Sequence, residues 1–195
     1  MQIHNKITRL SLAMGLVLLL GCASEVKNRY MIAPAQFLSP SNNAQAFNQQ
    51  MIALRQLRLP DYLREQKIVY RAQGQSVIAD KNELWAQDLE DNMKRVLQQN
   101  IANLLSQTGV NSYPLGADVR PDKIVDLQII EMIADKEVLR FDVLVSWQVF
   151  TAGQTKPQQH EFRKNYSLTQ MDGQEIVRTY QQSLKELSEK IVATL

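Results

Sequence analysis

Apolar residues in this chain follow two periods, and the change from one to the other places most of the elements. Val125, Leu127 and Ile129 alternate with polar neighbours, and Leu139, Phe141, Val143, Val145, Trp147 and Val149 do so over a longer run. A period of two with one apolar face predicts strands packed on one side. Asp135-Lys136-Glu137 breaks the two runs as a hairpin, and Thr151 to Pro157 turns the chain into a third strand carrying Phe162, Tyr166 and Leu168. These three form an antiparallel meander. The period then becomes helical: Ile176, Tyr180, Leu184, Leu187 and Ile191 make one stripe, opened by Asp172 and Glu175 at capping-box spacing.

The first half is less regular. Tyr30-Met31-Ile32 predicts a brief strand stopped at Pro34, and Ser39 to Gln50, rich in Ser, Asn, Gln and Ala, reads as a loop within about 38–50. Met51 to Leu59 predicts a strand with a bulge, ended by Pro60. Lys67 to Ala72 and Ser76 to Ala79 follow as a hairpin around Gln73-Gly74-Gln75. Trp85, Leu89, Met93, Val96, Leu97, Ile101, Leu104 and Leu105 then form a stripe on a helix of about twenty residues, with Asp80 and Glu83 as the start signal and Gly109 beyond the end. The expected fold is α+β: a two-layer sandwich, a mostly antiparallel sheet covered by two amphipathic helices.

The amino end has its own pattern. Lys6 and Arg9 precede an apolar run that closes in Leu19-Leu20-Gly21-Cys22. A charged start, a short apolar stretch and a small residue before the cut describe a secretory signal peptide. The run from Leu10 to Gly21 falls well short of the roughly 20 residues that cross a bilayer. Leu19, Leu20 and Gly21 with Cys22 resemble the lipobox of bacterial lipoproteins. Residues 1–21 would then be cleaved and Cys22 would carry an S-diacylglycerol and an N-acyl chain. Each buried methylene adds roughly 0.8 kcal/mol of membrane affinity, so several chains anchor firmly. The expected organisation is a signal peptide, a lipid-anchored tether over 22–27 and a single domain over 28–195. Ala23 and Ser24 follow the cysteine where aspartate tends to retain lipoproteins in the inner membrane, which favours the outer membrane and its periplasmic face.

Charge and composition narrow the function. The precursor carries a formal charge of +2, and the leader removes Lys6 and Arg9 without an acid, so the mature chain is close to neutral. Basic and acidic residues are interspersed, which gives no footprint for nucleic acid. Cys22 is the only cysteine, which leaves no intramolecular disulfide and no cysteine-rich metal site. The mature chain keeps one histidine, His160, and no serine lies in a Gly-x-Ser-x-Gly turn. Asp88 with Asp91 and Glu186 with Glu189 read as solvated pairs on outer helix faces. No Walker or Rossmann glycine pattern occurs. The expectation is a non-enzymatic protein with no cofactor beyond its covalent anchor and no metal.

Leu-Pro-Asp-Tyr-Leu at 59–63, Lys-Ile-Val-Tyr-Arg at 67–71, Asn-Glu-Leu-Trp-Ala at 82–86 and Asn-Ile-Ala-Asn-Leu at 100–104, together with the lipobox, resemble the ABC-type transport auxiliary lipoprotein family, and within it the PqiC type. The resemblance covers most of the mature chain. It implies a subunit of a Pqi-type MCE intermembrane lipid transport complex that supports membrane integrity. The implied partners are an MCE-domain periplasmic tube protein (PqiB-like), its inner-membrane partner (PqiA-like), outer-membrane lipids and further copies of itself in a homo-oligomer. Pro60, Asp61, Tyr62 and Trp85 are the candidate partner or lipid contacts. Equally, Pro60 and Asp61 can terminate a strand, and Tyr62 and Trp85 can be core aromatics. Two other readings stay open at this stage: an envelope assembly lipoprotein serving an outer-membrane barrel or lipopolysaccharide machinery, and a periplasmic lipid carrier.

Overall fold

The computed structural model describes residues 26–37, 50–74, 76–105, 110–112, 115–116 and 118–195. Cys22 with its lipobox, the loop centred on residues 39–49 and the helix stop at Gly109 lie outside them. Among the described residues, eight strands form one sheet: β1 (Asn28–Tyr30), β2 (Ile52–Arg58), β3 (Lys67–Ala72), β4 (Ser76–Trp85), β5 (Asn111–Ser112), β6 (Lys123–Asp135), β7 (Arg140–Thr151) and β8 (Gln158–Ser167). Two helices, α1 (Leu89–Leu104) and α2 (Gly173–Val192), pack on one face and on each other. The α+β two-layer architecture follows the alternation and the two stripes. The sheet itself is mixed. The meander β6–β7–β8 and the β3–β4 hairpin are antiparallel, whereas β1 lies parallel to β4, β2 to β5, and both β2 and β3 to β6.

The core forms where the inner residues of β6 and β7 meet the two helix stripes. Val125, Leu127, Ile129, Met132, Phe141, Val143, Val145, Trp147 and Val149 are all buried, as are Met93, Leu97, Ile101, Tyr180, Leu184 and Leu187. Burying a side chain of this size contributes about 1.5–3 kcal/mol. Asp172 caps α2 by accepting from Glu175 N at 2.7 Å. The reciprocal half of the capping box is absent, because the Glu175 carboxylate turns back to Thr169 Oγ1 at 3.1 Å and to Arg178. The bulge expected in β2 falls between Leu54 and Gln56, where the register against β6 shifts.

Four local expectations change. The first strand is Asn28–Tyr30 rather than 30–32. Past it, the Ile32 amide donates to Asn92 Oδ1 at 2.8 Å and the Ile32 carbonyl accepts from Asn92 Nδ2 at 3.0 Å, so a helix side chain takes the place of a strand partner. The second strand of the first hairpin runs on to Trp85, and α1 starts at Leu89 behind an Asp88 cap that accepts from Asp91 N at 3.0 Å. Asp80 produces the misleading start signal. Its carboxylate accepts from Asn82 N at 2.8 Å and Glu83 N at 3.2 Å, the bonds of a helix cap, but they close an irregularity where β3 and β4 lose register between Val69↔Ala79 and Lys67↔Leu84. Finally, Leu139 is exposed in the turn before β7 with φ +47°, outside the alternation it extends in sequence.

Candidate functional site

The segment Pro60-Asp61-Tyr62-Leu63 lies at a discontinuity of the sheet. One edge of β6 is paired along almost its whole length by β7. Its other edge carries two strands in tandem: β2 opposite residues 123–128, and β3 opposite Ala134 and Asp135. Between them the chain leaves the sheet, and a 3₁₀ turn, Asp61–Leu63, carries it from one strand to the next. Pro60 ends β2 and precedes the turn with φ −65°, a value its ring favours. The turn is closed by Leu63 N donating to Pro60 O at 3.0 Å.

Tyr62 projects from this turn into the gap. Its hydroxyl accepts from Met132 N at 3.1 Å, and the Tyr180 hydroxyl donates to Met132 O at 3.0 Å. Two phenols thereby satisfy both backbone groups of a buried strand residue that has no neighbour strand on that edge. Burial pushes the Tyr62 phenol up, against the pull of the Met132 amide, and pushes Tyr180 well above the ordinary tyrosine value. Tyr180 thus keeps its donated proton. Its ring also meets Trp85 edge-on at 5.3 Å and Phe141 at 4.9 Å. Trp85 is buried at the end of β4, with its amide donating to Gln66 O at 2.7 Å. Of the four sequence candidates, Tyr62 and Trp85 are therefore engaged in packing around Met132, Pro60 is half-buried, and Asp61 alone is exposed, near Arg64 at 3.9 Å.

The sheet face away from the helices mixes polar residues with Ile124, Ile133, Leu144 and Phe150. Gln56, Arg58, Asp126, Gln128, Ser146 and Gln148 line a shallow groove there, and Arg55 pairs with Asp126 while lying 4.7 Å over the Phe150 ring. At the far end of that face Asp142, 5 % exposed, accepts from Arg140 Nε at 2.6 Å and from Asn165, and faces Arg71 at 3.4 Å. Arg71 also bonds Glu131. Burial opposes ionisation of Asp142, yet the bonds from Arg140 and Asn165 and the nearby guanidinium charges outweigh it and hold the carboxyl below its ordinary value. This network joins β3, β6, β7 and β8, and alternation within any one strand could not disclose it.

The other chemical candidates resolve in the same way. His160 sits opposite Trp147 across β7 and β8, stacked at 5.3 Å, and its Nε2 is buried without a partner. Glu186 is not a solvated charge: it accepts from Lys164 at 2.6 Å, from Tyr166 at 3.1 Å and from Gln182 at 3.2 Å. Among the described residues no group of three or more His, Cys, Asp or Glu could hold a metal ion, and no helix is long and apolar enough to cross a membrane.

A two-layer scaffold with one helix-covered face, one open sheet face and an aromatic plug in its sheet defines an α+β class of domain. The chain belongs to the family described as the ABC-type transport auxiliary lipoprotein component, which it matches over residues 31–192. It is 31 % identical over 100 residues to the intermembrane transport lipoprotein PqiC of Escherichia coli (strain K12), and equally to that of Shigella flexneri. Those matches cover 51 % of this chain and 53 % of each relative, so the chain spans about half the length of the curated relatives it matches. The fold recurs in a crystal structure of an uncharacterized protein, with a TM-score of 0.70, 19 % identity and coverage of 87 % of this chain and 99 % of that one. It recurs again in a DUF330 protein from Xanthomonas campestris, with a TM-score of 0.67, 10 % identity and coverage of 85 % and 92 %. The family is named for transport, and none of these relatives carries an enzymatic name.

Proposed function

We propose that this chain is the outer-membrane lipoprotein subunit of a Pqi-type MCE intermembrane lipid transport complex. Its mature amino end, Cys22, carries the S-diacylglycerol and N-acyl anchor. The domain docks the periplasmic MCE tube (PqiB-like, with a PqiA-like inner-membrane partner) at the periplasmic face of the outer membrane, and does so as a homo-oligomer without catalysing a reaction. The observation that carries the reading is the family match over residues 31–192, joined to a lipobox that ends at Cys22. The filled core supports docking over carriage, since the space between sheet and helices is occupied by Trp85, Phe141, Trp147 and Tyr180.

The test is in-cell crosslinking of full-length protein tagged after Leu195, followed by identification of partners by mass spectrometry. Recovery of an MCE-domain protein supports the reading. Recovery of barrel or lipopolysaccharide-assembly proteins in its place sinks it.

A further inference from the structure

Four exposed apolar side chains cluster at one end of the sheet. Val77 and Ile78, 47 % and 37 % exposed, stand on β4 beside the β3–β4 turn, and Val138 and Leu139, 58 % and 39 % exposed, form the β6–β7 turn. The two hairpins are held side by side. Val77 is level with Arg71, and Arg71 with Asp135; Lys136 N donates to Arg71 O at 2.9 Å, and Gly74 N to the Glu137 carboxylate at 3.3 Å. The β3–β4 turn uses left-handed backbone at Gln73 and Gly74, φ +48° and +80°, which lets the hairpin reverse at its tip.

The direction of β1 points its amino end the same way. β1 runs parallel to β4 with Asn28 beside Glu83, so the amino end of β1 points back toward the β3–β4 turn. Six positions separate Asn28 from Cys22, the same number that separate Glu83 from Val77. An extended chain covers at most about 3.6 Å per residue, which keeps Cys22 within about 22 Å of Asn28, a reach that includes the level of the hairpin tips. Exposed Lys136 lies in the β6–β7 turn at this end, and exposed Lys81 stands farther along β4. The acids nearby are largely engaged: Asp80 by two amides of its own strand, Asp135 by the amides of Glu137 and Val138, Glu137 by Gly74. Lys136 lies 5.7 Å over the Tyr70 ring, and an aromatic with a basic neighbour suits the headgroup level of a bilayer.

We propose that these two hairpin tips, Val77–Ile78 and Val138–Leu139, sit in the surface of the same membrane that holds the acylated Cys22. The occupant of the apolar end is lipid. The inference rests on the proposed acylation, and adds to it an orientation: β6 and β7 stand on the membrane, with the β7–β8 turn around Gln154 at the far end. β7 alone separates the two ends by about 40 Å at about 3.4 Å per residue. The sheet face away from the helices then stands upright on the membrane.

The test uses the full-length acylated chain in phosphatidylethanolamine–phosphatidylglycerol vesicles. With the Cys22 thiol blocked by its own acylation, Val138→Cys, Ile78→Cys and Gln154→Cys each carry one environment-sensitive fluorophore, and nitroxide lipids of graded depth act as quenchers. Quenching at positions 138 and 78 by shallow nitroxides, with none at 154, is the expected result. Protein that floats with the vesicles while all three labels stay unquenched overturns the orientation and leaves the anchor standing. A blue shift at 138 without lipid quenching means that protein covers the tips, and equally overturns it. Failure to float removes the anchor, and the orientation falls with it.

Discussion

The Tyr62 hydroxyl accepts a hydrogen bond from the Met132 amide at 3.1 Å, across the gap where β2 has ended and β3 has not begun. That bond gives the Pro-Asp-Tyr-Leu segment a structural role, because it closes a central strand whose edge would otherwise be open. Tyr62→Phe keeps the ring and leaves the amide unsatisfied, a change worth about 1–3 kcal/mol. Urea unfolding should show a lowered midpoint at unchanged slope, and Met132 should lose amide protection. An unchanged midpoint would mean that water satisfies the amide equally well.

Asn92 ties the segment after β1 to α1 by two reciprocal bonds, and Asn100 adds a third at Ala35 N, 2.8 Å away. Asn92→Ala should raise the amide exchange of Ile32 sharply and leave β6 and β7 protected, with a stability loss of about 1–3 kcal/mol for the stranded Ile32 amide, while the Ile32 carbonyl keeps Arg95 at 3.5 Å. Uniform loss of protection would show that the segment opens only with the whole domain.

Gly173 opens α2 where β1 and β4 approach. A Cβ there would stand 2.3 Å from Glu83 Oε2, 2.8 Å from the Tyr30 ring edge and 2.9 Å from its Cζ. Glu83 can swing aside, but the tyrosine ring is held in the β1–β4 corner, where burial and the neighbouring Glu83 carboxylate push its phenol up to about 12. In an open helix Gly→Ala stabilises by roughly 1 kcal/mol. Here the sign reverses, and Gly173→Ala should lower Tm, since overpacking costs about 1–3 kcal/mol. A raised Tm would mean that the corner yields freely.

Two carboxyls make stability depend on acid. Asp142 and Glu186 are both partly desolvated, and in both the hydrogen-bond donors win: Arg140 and Asn165 at the first, Lys164, Gln182 and Tyr166 at the second. Each titrates lower in the folded chain than unfolded, so the unfolded chain binds more protons in acid. Stability from them is complete above their unfolded values of about 4 and is lost as pH falls through the folded ones. Thermal melts from pH 7 to 3 should fall steeply at the acid end, and Asp142→Asn should flatten that slope while lowering Tm at pH 7. An equal slope in the variant would remove Asp142 from the account.

Cys22 is separable from all of this, because the domain from Asn28 onward makes its own sheet and core contacts. Cys22→Ser should abolish incorporation of labelled palmitate with the domain's Tm unchanged. Label that persists in the variant would show that Cys22 is not the acylated residue.

Much of the architecture was legible because its signals are local. Alternation from Phe141 to Val149 and the Ile176–Ile191 stripe each report one face of one element, and Asp172 accepts from Glu175 N as its spacing implies. Where local signals conflicted, distance in sequence decided. Asp80 offers cap-like bonds to Asn82 and Glu83, and only pairing of Trp85's strand with residues of β3 and β1 shows that they belong to a strand irregularity. The candidate site was legible as a motif and not as a geometry. Nothing in Pro-Asp-Tyr-Leu says that a tyrosine will meet an amide seventy positions away.

Periodicity and capping thus determined the core faces of β7 and α2, since both depend on neighbours within a turn or a pleat, but not the element of Trp85 or the exposure of Leu139. The tertiary structure alone decided that β2 and β3 share one edge of β6, that Tyr62 and Tyr180 complete Met132 between them, and that the β1 end leads to the exposed hairpin tips. The physical reason is that strand pairing satisfies backbone groups through partners remote in sequence, and the choice among such partners is made by the packing of the whole sheet against its helices.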